Sequence, residues 1–166
     1  MNDKNDELEL FEFTTNNTFE NRLKFGLYYE KVLLAFLDKY DLNFKNVSID
    51  KPKSFYDFLR FDIRNKPIIL ELKSIVNNSN EDVYLVSHYK VQKYKRMLIK
   101  HPNLRFIYIF NQVISQYEYQ FWYHDIDINK INNDEYFLTQ LPSGSRYIEI
   151  PKRCFSKLEE CVDLLN

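Results

Sequence analysis

A β-hairpin predicted for residues 54–74, with the sequence SFYDFLRFDIRNKPIILELKS, constrains the fold of this chain more than any other stretch. Two runs rich in apolar residues, 55–63 and 68–72, flank a short segment that contains Asn65 and Pro67. Asn and Pro favour turns, and Pro has no backbone N–H for a central ladder. The segment is therefore predicted to reverse the chain between two antiparallel strands.

The register of this hairpin decides which side chains share a face. Pairing Ile63 with Ile68 puts most apolar residues of both strands on one face, because successive side chains of a strand alternate between faces. The opposite face then carries charged groups and one isoleucine: Arg60, Asp62, Ile69, Glu71 and Lys73. In this register Asp57 falls on the apolar face, and a single bulge between residues 57 and 62 would bring it to the charged face.

Three side chains of the charged face suggest a chemistry. The carboxylates of Asp62 and Glu71 can hold a divalent cation such as Mg²⁺ or Mn²⁺, which prefers oxygen ligands. The ammonium group of Lys73 can orient or activate a water molecule beside that cation. The alternative is an ordinary cross-strand ion pair on a solvated face.

An aspartate near the end of one strand, followed in the next strand by Glu-x-Lys in the apolar run IILELKS, resembles the PD-(D/E)xK nuclease superfamily. The resemblance implies an α/β fold with a restriction-endonuclease-like core of order α-β-β-β-α-β, in which a mixed central sheet is flanked by helices. It also implies Mg²⁺-dependent hydrolysis of DNA phosphodiester bonds, with Asp62 and Glu71 as metal ligands and Lys73 beside the attacking water. Asp57, fourteen residues before Glu71, is the alternative ligand, because the nine residues from Asp62 are a short spacing for the family.

Residues 19–40 are predicted to form the first helix, with Thr18 as its N-cap. One stripe of this helix is apolar except for a single glutamate, and consists of Leu23, Leu27, Glu30, Leu34 and Leu37. A carboxylate on an apolar stripe is costly to bury unless a cation or hydrogen-bond donors meet it, so a Glu paired with a cation is one interpretation. The run Gly26-Leu-Tyr-Tyr-Glu30 also resembles the Gly-x-x-x-Glu pattern of the same superfamily, which implies an accessory catalytic acid at Glu30.

A basic surface is predicted on a second helix, over residues 81–100. The window 83–117 contains no Asp or Glu, so its basic side chains suit a polyanion even though the whole chain has a net charge of −1. The candidate nucleic-acid-binding residues are Lys90, Lys93, Arg96 and Lys100. Gln92 loosely resembles a Gln that RecB-like members of the superfamily carry near their site, and is a candidate accessory residue. A solvated helix face is the alternative interpretation.

Further strands are predicted around this core. The apolar run 104–110 (LRFIYIF) is typical of a strand buried on both faces, and we expect it beside residues 69–73. Short strands are also predicted at 47–49, 117–124 and 146–150.

The C-terminal part of the chain completes the predicted fold. A closing helix is predicted over residues 154–165, with Cys154 and Cys161 as reduced core thiols. Asp125 and Asp127 lie in an acidic, Asn-rich connection, and a solvated loop explains them better than a second metal site does.

Length and composition bound the class of protein. The 166 residues fit one domain, which we predict over residues 18–166 after a weakly ordered acidic lead-in over residues 1–17. No basic and apolar leader opens the sequence and no run of about 18 apolar residues occurs, so we expect no membrane contact and a cytoplasmic or nuclear location. The chain has two Gly, which excludes a P-loop or Rossmann nucleotide site. Its richness in Lys, Asn, Ile and Tyr is typical of an AT-rich genome, such as that of a virus or mobile element.

The sequence thus predicts a Mg²⁺- or Mn²⁺-dependent deoxyribonuclease whose partner is DNA rather than RNA. Two alternatives stay open. One is an RNA endonuclease, since a metal site contacts phosphate in either nucleic acid. The other is a catalytically inactive nucleic-acid-binding or interaction protein on the same fold. The oligomeric state also stays open, a homodimer included.

Overall fold

The structure, a computed structural model, describes residues 18–48, 54–61, 66–76, 82–115, 118–132 and 136–165. Within these ranges the chain forms a mixed α/β fold. Its α-helices are α1 (Phe19–Lys39), α2 (His88–Lys100) and α3 (Ile128–Asn132). Its strands are β1 (Lys45–Asn46), β2 (Phe58–Arg60), β3 (Ile68–Val76), β4 (Val83–Ser87), β5 (Arg105–Ser115), β6 (Glu118–Asp125), β7 (Phe137–Gln140), β8 (Arg146–Pro151) and β9 (Ser156–Lys157). Short 3-10 helical turns cover Lys152–Cys154, Leu158–Glu160 and Val162–Leu165.

A six-stranded mixed sheet, with the strand order β1-β2-β3-β5-β6-β9, forms the centre of the fold. Strands β3 and β5 are parallel, and the other neighbours in this sheet are antiparallel. The prediction that the strand at 104–110 lies beside residues 69–73 is confirmed, because the pairing runs from Ile68 and Arg105 to Val76 and Val113. Both strands carry long apolar runs that are buried on both faces, as expected for a parallel pair inside a sheet.

Helix α1 covers one face of this sheet. Its buried residues Phe25, Tyr29, Leu33 and Leu37 recur every fourth position and pack in one cluster with β3 and β5. The predicted stripe was wrong in its phase, since Leu23 and Leu27 are exposed and the larger rings of Phe25 and Tyr29 face the sheet instead. The predicted N-cap is confirmed, because Thr18 Oγ1 accepts a hydrogen bond of 3.2 Å from the N–H of Asn21.

Helix α2 and a second sheet of order β4-β8-β7 cover the opposite face. The prediction of a helix from residue 81 was wrong, because the chain forms β4 first and α2 begins only at His88. The cause is a period of two in this stretch, where Tyr84 and Val86 are buried and their neighbours are half-buried. Strand β4 is therefore an addition to the predicted order of elements.

The hairpin forms, but its predicted register was wrong. Ile68 lies opposite Arg60 and Leu70 lies opposite Phe58, so the strands are displaced by three residues from a pairing of Ile68 with Ile63. An odd displacement exchanges the two faces of β2 relative to β3. The physical reason is Phe58, which is fully buried with Leu70 beneath α1 and fixes this pairing.

The predicted C-terminal helix was also wrong. Phe155 packs in the cluster on the α2 side of the sheet, whereas Leu158, Val162 and Leu165 pack in the cluster on the α1 side. The chain passes from one face to the other around β9, at the edge of the sheet, which a continuous helix could not do. Cys161 is buried as predicted, but Cys154 is exposed.

Other strands agree more closely with the prediction. Strands β6 and β8 match the predicted strands at 117–124 and 146–150, and the short first strand lies at Lys45–Asn46 rather than at 47–49. In the described part of the chain, no helix is both long and apolar enough to cross a membrane.

Candidate active site

Two carboxyl groups meet where the chain enters β2 beside β3. The N–H of Asp57 donates a hydrogen bond of 2.9 Å to the carbonyl oxygen of Leu70, and Asp57 Oδ2 accepts one of 2.8 Å from the N–H of Leu72. These bonds lie on either side of Glu71 and continue the register of β2 and β3, which places Asp57 beside Glu71. The prediction that Asp57 falls on the apolar face was therefore wrong, and the three-residue displacement of the hairpin is the cause.

Glu71 is almost fully buried, with 5% of its surface exposed. Its Oε1 atom forms an ion pair with the ammonium group of Lys90 in the first turn of α2. Its Oε2 atom is buried and has no hydrogen-bond partner among the residues that the structure describes. A buried carboxylate oxygen without a partner is costly, and a proton or a cation would satisfy it.

The burial of this pair changes how both groups titrate. Burial, and after it the like charge of Asp57, raise the pKa of Glu71 to about 8, against the opposing effect of Lys90 and Lys73. Burial likewise raises the pKa of Asp57 to about 6, against the hydrogen bond from the N–H of Leu72, the charge of Lys90 and a side-chain hydrogen bond with Glu71, which the two carboxyl groups can form only when one of them carries a proton. Near neutral pH the metal-free site therefore retains a proton, and a bound divalent cation would favour its release.

Two lysines approach the pair from different elements. Lys73 lies two residues after Glu71 on the same face of β3, and its side chain is exposed. Lys90 comes from α2, and its side chain is 24% exposed while it contacts Glu71. Lys90 therefore lies inside the carboxylate site, whereas the sequence grouped it with the candidate nucleic-acid-binding residues.

Glu30 lies beside this site on α1. Its Oε2 atom accepts hydrogen bonds of 3.0 Å from Asn46 Nδ2 and 2.6 Å from Ser48 Oγ, which hold the half-buried carboxylate in place. Its negative charge also raises the pKa of Asp57, although burial is the larger cause. The sequence singled out Glu30 by its place on an apolar stripe, but Asn46 and Ser48 lay in a polar segment with no pattern that pointed to it.

The other predicted site residues lie at varying distances from this cluster. Asp62 lies outside the described residues. Gln92 Nε2 is 3.1 Å from His88 Nε2, one turn earlier in α2. Lys93 Nζ is 5.3 Å from the centre of the Tyr89 ring. Arg96 and Lys100 are exposed, so the outer face of α2 is basic as the sequence predicts.

Tyr108 is a site residue that the sequence did not indicate. It lies on β5 directly opposite Glu71 in the parallel ladder and is buried. Burial raises the pKa of Tyr108 well above its usual value, and the charges of Glu71 and Asp57 add to this effect. Within the run LRFIYIF this tyrosine has the same pattern as a core aromatic, so only the pairing of β3 with β5 reveals its position.

The second acidic segment has a different character. Asp125 is paired with Arg105, and Asp127 Oδ1 accepts a hydrogen bond of 2.8 Å from the N–H of Asn129. Both border a cavity of about 610 Å³, together with His124, whose ring nitrogens lie 3.0 Å from the Cys154 carbonyl oxygen and 3.0 Å from the Tyr136 hydroxyl oxygen. Across the described ranges, no group of three or more His, Cys, Asp or Glu side chains is placed to hold a metal ion. Asp57 and Glu71 are thus a pair of candidate ligands rather than a complete site.

Comparison with models of protein families gave no match, and comparison with curated proteins gave none either. Any function proposed for the chain therefore rests on the chemistry of its own side chains.

Proposed function

We propose that this protein is a Mg²⁺- or Mn²⁺-dependent nuclease that hydrolyses phosphodiester bonds in DNA. The observation that carries the proposal is the meeting of Asp57 and Glu71 on adjacent strands, with Lys73 on the same face of β3. Two carboxylates and a lysine on one rigid sheet surface provide the groups that metal-assisted phosphodiester hydrolysis requires. Glu30, fixed beside them by Asn46 and Ser48, is an accessory acid.

The order of elements supports a restriction-endonuclease-like core. Helix α1 precedes strands β1, β2 and β3, and helix α2 then leads into β5, which pairs with β3 in parallel. This is the order α-β-β-β-α-β with β4 inserted before the second helix. Glu71 lies on the face of β3 that α2 covers, the same face as Ile69, and Lys90 of α2 contacts it.

The two carboxylates supply part of an oxygen donor set for a divalent cation, which water molecules would complete. Asp57 and Glu71 would hold it, and the buried Oε2 atom of Glu71, which lacks a partner in the described structure, is an oxygen that a hard cation would satisfy. A bound cation would lower the pKa of a water molecule and neutralise charge that develops on the phosphate. Asp62 remains an alternative ligand, although the observed register supports Asp57.

Lys73 has a role that its position supports. Its exposed ammonium group can reach a water molecule or a phosphate oxygen at the open side of the site, where it would orient the nucleophile. The outer face of α2, with Lys93, Arg96 and Lys100, would contact the sugar-phosphate backbone without selecting a sequence.

One observation favours a rival function. The ion pair of Lys90 with Glu71 neutralises a carboxylate that a metal would need, as in a catalytically inactive nucleic-acid-binding protein on the same fold. An RNA endonuclease would use the same site, because the metal contacts phosphate in either polymer.

The test is incubation of the purified protein with supercoiled, linear and single-stranded DNA and with RNA, in the presence of Mg²⁺, Mn²⁺ or EDTA. We expect cleavage of DNA with either metal, none with EDTA and none by Glu71→Gln. Asp127→Asn, which removes a carboxylate outside the site, is the matched control and should cleave normally. Cleavage of RNA alone would establish the RNA endonuclease, and binding without cleavage in every condition would establish the inactive protein.

A further inference from the structure

Lys90 occupies a place in the site that no simple structural ion pair explains. It contacts Glu71 Oε1, yet the other oxygen of the same carboxylate is buried without a partner among the described residues. A buried ion pair that serves stability normally has its remaining lone pairs satisfied as well. Here one ammonium group forms an ion pair with Glu71 while a second carboxyl group, that of Asp57, lies beside it across β2 and β3, so two acidic groups share one direct counter-ion.

The side chain of Lys90 is also able to leave. About a quarter of it is exposed, and it has a flexible four-carbon stem with a strongly hydrated head group. Lys93, which is half-buried, lies one helical turn further along α2, and side chains three positions apart on a helix are neighbours. An outward movement of Lys90 would therefore bring its ammonium group towards the basic outer face of the helix.

We propose that Lys90 is the counter-ion of the metal-free site, that a divalent cation displaces it from Glu71, and that the released ammonium group then contacts a phosphate of the nucleic acid. This inference rests on the proposed function. A divalent cation and the ammonium group of Lys90 would both bind the carboxylate of Glu71, and they repel each other at close range. The cation and Lys90 therefore compete for this carboxylate. Metal binding and phosphate binding are thereby coupled through a single side chain.

This role has two consequences of opposite sign. Removal of the ammonium group should tighten metal binding, because the competitor is lost, and should weaken nucleic-acid binding when metal is present. A lysine that only stabilises the fold would give a different result, in which its removal disorders the site and weakens both kinds of binding.

The first experiment is a calorimetric titration with Mn²⁺ at pH 8.5 in the absence of nucleic acid. We expect Lys90→Met to bind Mn²⁺ about tenfold more tightly than the natural protein, from the loss of one nearby positive charge. Lys157→Met, which removes the same charge from β9 at the far edge of the sheet, should bind Mn²⁺ normally. Equal affinity of Lys90→Met and the natural protein would overturn the inference.

Lys90→Arg keeps the experiment decisive if Lys90→Met does not fold, which circular dichroism would show. Arginine can hold a carboxylate by two parallel hydrogen bonds, so it should be harder to displace and should lower the affinity for Mn²⁺ below that of the natural protein. An unchanged affinity in this variant would contradict a competition between residue 90 and the metal.

The second experiment measures binding of a fluorescent DNA duplex by anisotropy, with Ca²⁺ in place of Mg²⁺ to suppress hydrolysis, and again in EDTA. Lys90→Met should weaken binding with Ca²⁺ but not with EDTA, because in EDTA the natural lysine is held by Glu71. An equal loss in both buffers would show that the metal does not release Lys90.

Failure of this inference and failure of the proposed function are distinguishable. If the natural protein binds no Mn²⁺ and cleaves no nucleic acid, the proposed function falls and the inference falls with it. If the natural protein binds Mn²⁺ and cleaves DNA while Lys90→Met changes neither affinity, only the inference falls.

Discussion

Two ion pairs involve residues of the six-stranded sheet, and they differ in how many of their polar atoms form hydrogen bonds. Arg105 on β5 donates from Nε to Asp125 on β6, from Nη1 to the carbonyl oxygen of Leu164 and from Nη2 to the hydroxyl of Tyr123, at 2.7–2.9 Å. Lys90 and Glu71 form the other pair, in which Glu71 Oε2 is left without a partner among the described residues. The first pair ties two strands to the C-terminal turns.

The difference separates a structural pair from a site. Every nitrogen of the Arg105 guanidinium group has an acceptor, so the arrangement is complete without a ligand. The pair of Lys90 and Glu71 leaves one buried carboxylate oxygen without a hydrogen bond in the described structure. Burial also raises the pKa of Glu71 and of the neighbouring Asp57. An arrangement of this kind indicates a cation or proton that the chain itself does not supply.

Glu71→Gln and Asp125→Asn test the comparison with the largest expected effect. Glu71→Gln should lower metal-dependent cleavage by more than about a hundredfold and remove Mn²⁺ binding, because it removes a ligand. Asp125→Asn should keep cleavage but lower the free energy of unfolding by about 1 kcal/mol, as expected for a partly exposed pair. Gel cleavage assays, calorimetry and thermal unfolding measure these changes. The comparison is wrong if Asp125→Asn loses activity and Glu71→Gln keeps it.

Asp57→Asn and Asp62→Asn decide which aspartate completes the site. The hydrogen bonds that place Asp57 beside Glu71 predict that Asp57→Asn loses both cleavage and the Mn²⁺-dependent rise in the unfolding temperature. Asp62→Asn should retain that rise. Differential scanning fluorimetry with and without Mn²⁺ measures it, and loss of the rise through Asp62→Asn alone would return the assignment to the register that the sequence favoured.

Lys73→Ala should lower cleavage about a hundredfold or more, the usual effect of losing a group that orients or activates the nucleophile. The fold and most of the nucleic-acid binding should remain, because an exposed lysine adds little stability. Lys157→Ala is the matched control for the loss of one exposed lysine. Full activity of Lys73→Ala would remove lysine from the proposed mechanism.

The parts of the fold that the sequence predicted are those decided by local pattern. The cap at Thr18 and the strand β5 follow from side-chain chemistry within a few residues of each element, and a run that is apolar on both faces belongs inside a sheet, where β5 lies beside β3. Glu71 and Lys73 were chosen from a spacing within a single strand, and β3 keeps them on one face because alternation within a strand does not depend on its partner.

The parts that the sequence did not predict depend on contacts between distant elements. Asp57 was placed on the wrong face because the register of β2 is fixed by the burial of Phe58 beneath α1. Lys90 was grouped with the candidate nucleic-acid-binding residues, and its contact with Glu71 depends on how α2 packs against the central sheet, which no local pattern shows. Tyr108 has the pattern of an ordinary core residue, and only strand pairing brings it to Glu71.

The metal-free protein should lose stability as the pH rises from about 5 to 8.5. The pKa of Asp57 is raised to about 6 and that of Glu71 to about 8, so the folded state holds these protons more tightly than the unfolded state does. A carboxyl group with a raised pKa contributes stability that is fully present below its usual pKa and is lost as the pH rises through the folded value. Thermal unfolding in EDTA across this range measures the effect.

Two changes locate the source of that slope. Glu71→Gln removes one of the two titrating carboxyl groups and should flatten the decline. Saturating Mn²⁺ should also restore stability at the alkaline end, since it binds the folded site alone. A decline that persists unchanged in Glu71→Gln would mean that other groups cause it.

The smallest expected effect concerns the outer face of α2. The double variant Lys93→Ala with Arg96→Ala should weaken binding of all nucleic-acid sequences about equally, and should reduce the slope of log affinity against log salt by up to about two, one for each lost phosphate contact. Anisotropy titrations over a range of salt concentrations measure this slope, with Lys157→Ala as a control. An unchanged slope would place the backbone contacts on another surface.

The same double variant sharpens the contrast with Lys90. Neither Lys93 nor Arg96 has a contact with Glu71 in the described structure, so their loss should weaken binding equally in Ca²⁺ and in EDTA. Lys90→Met should weaken binding only in Ca²⁺, because the natural lysine is held by Glu71 until a cation replaces it. If the double variant loses the same affinity with and without metal, while Lys90→Met loses affinity only with metal, then Lys90 and the outer basic residues of α2 have separate roles.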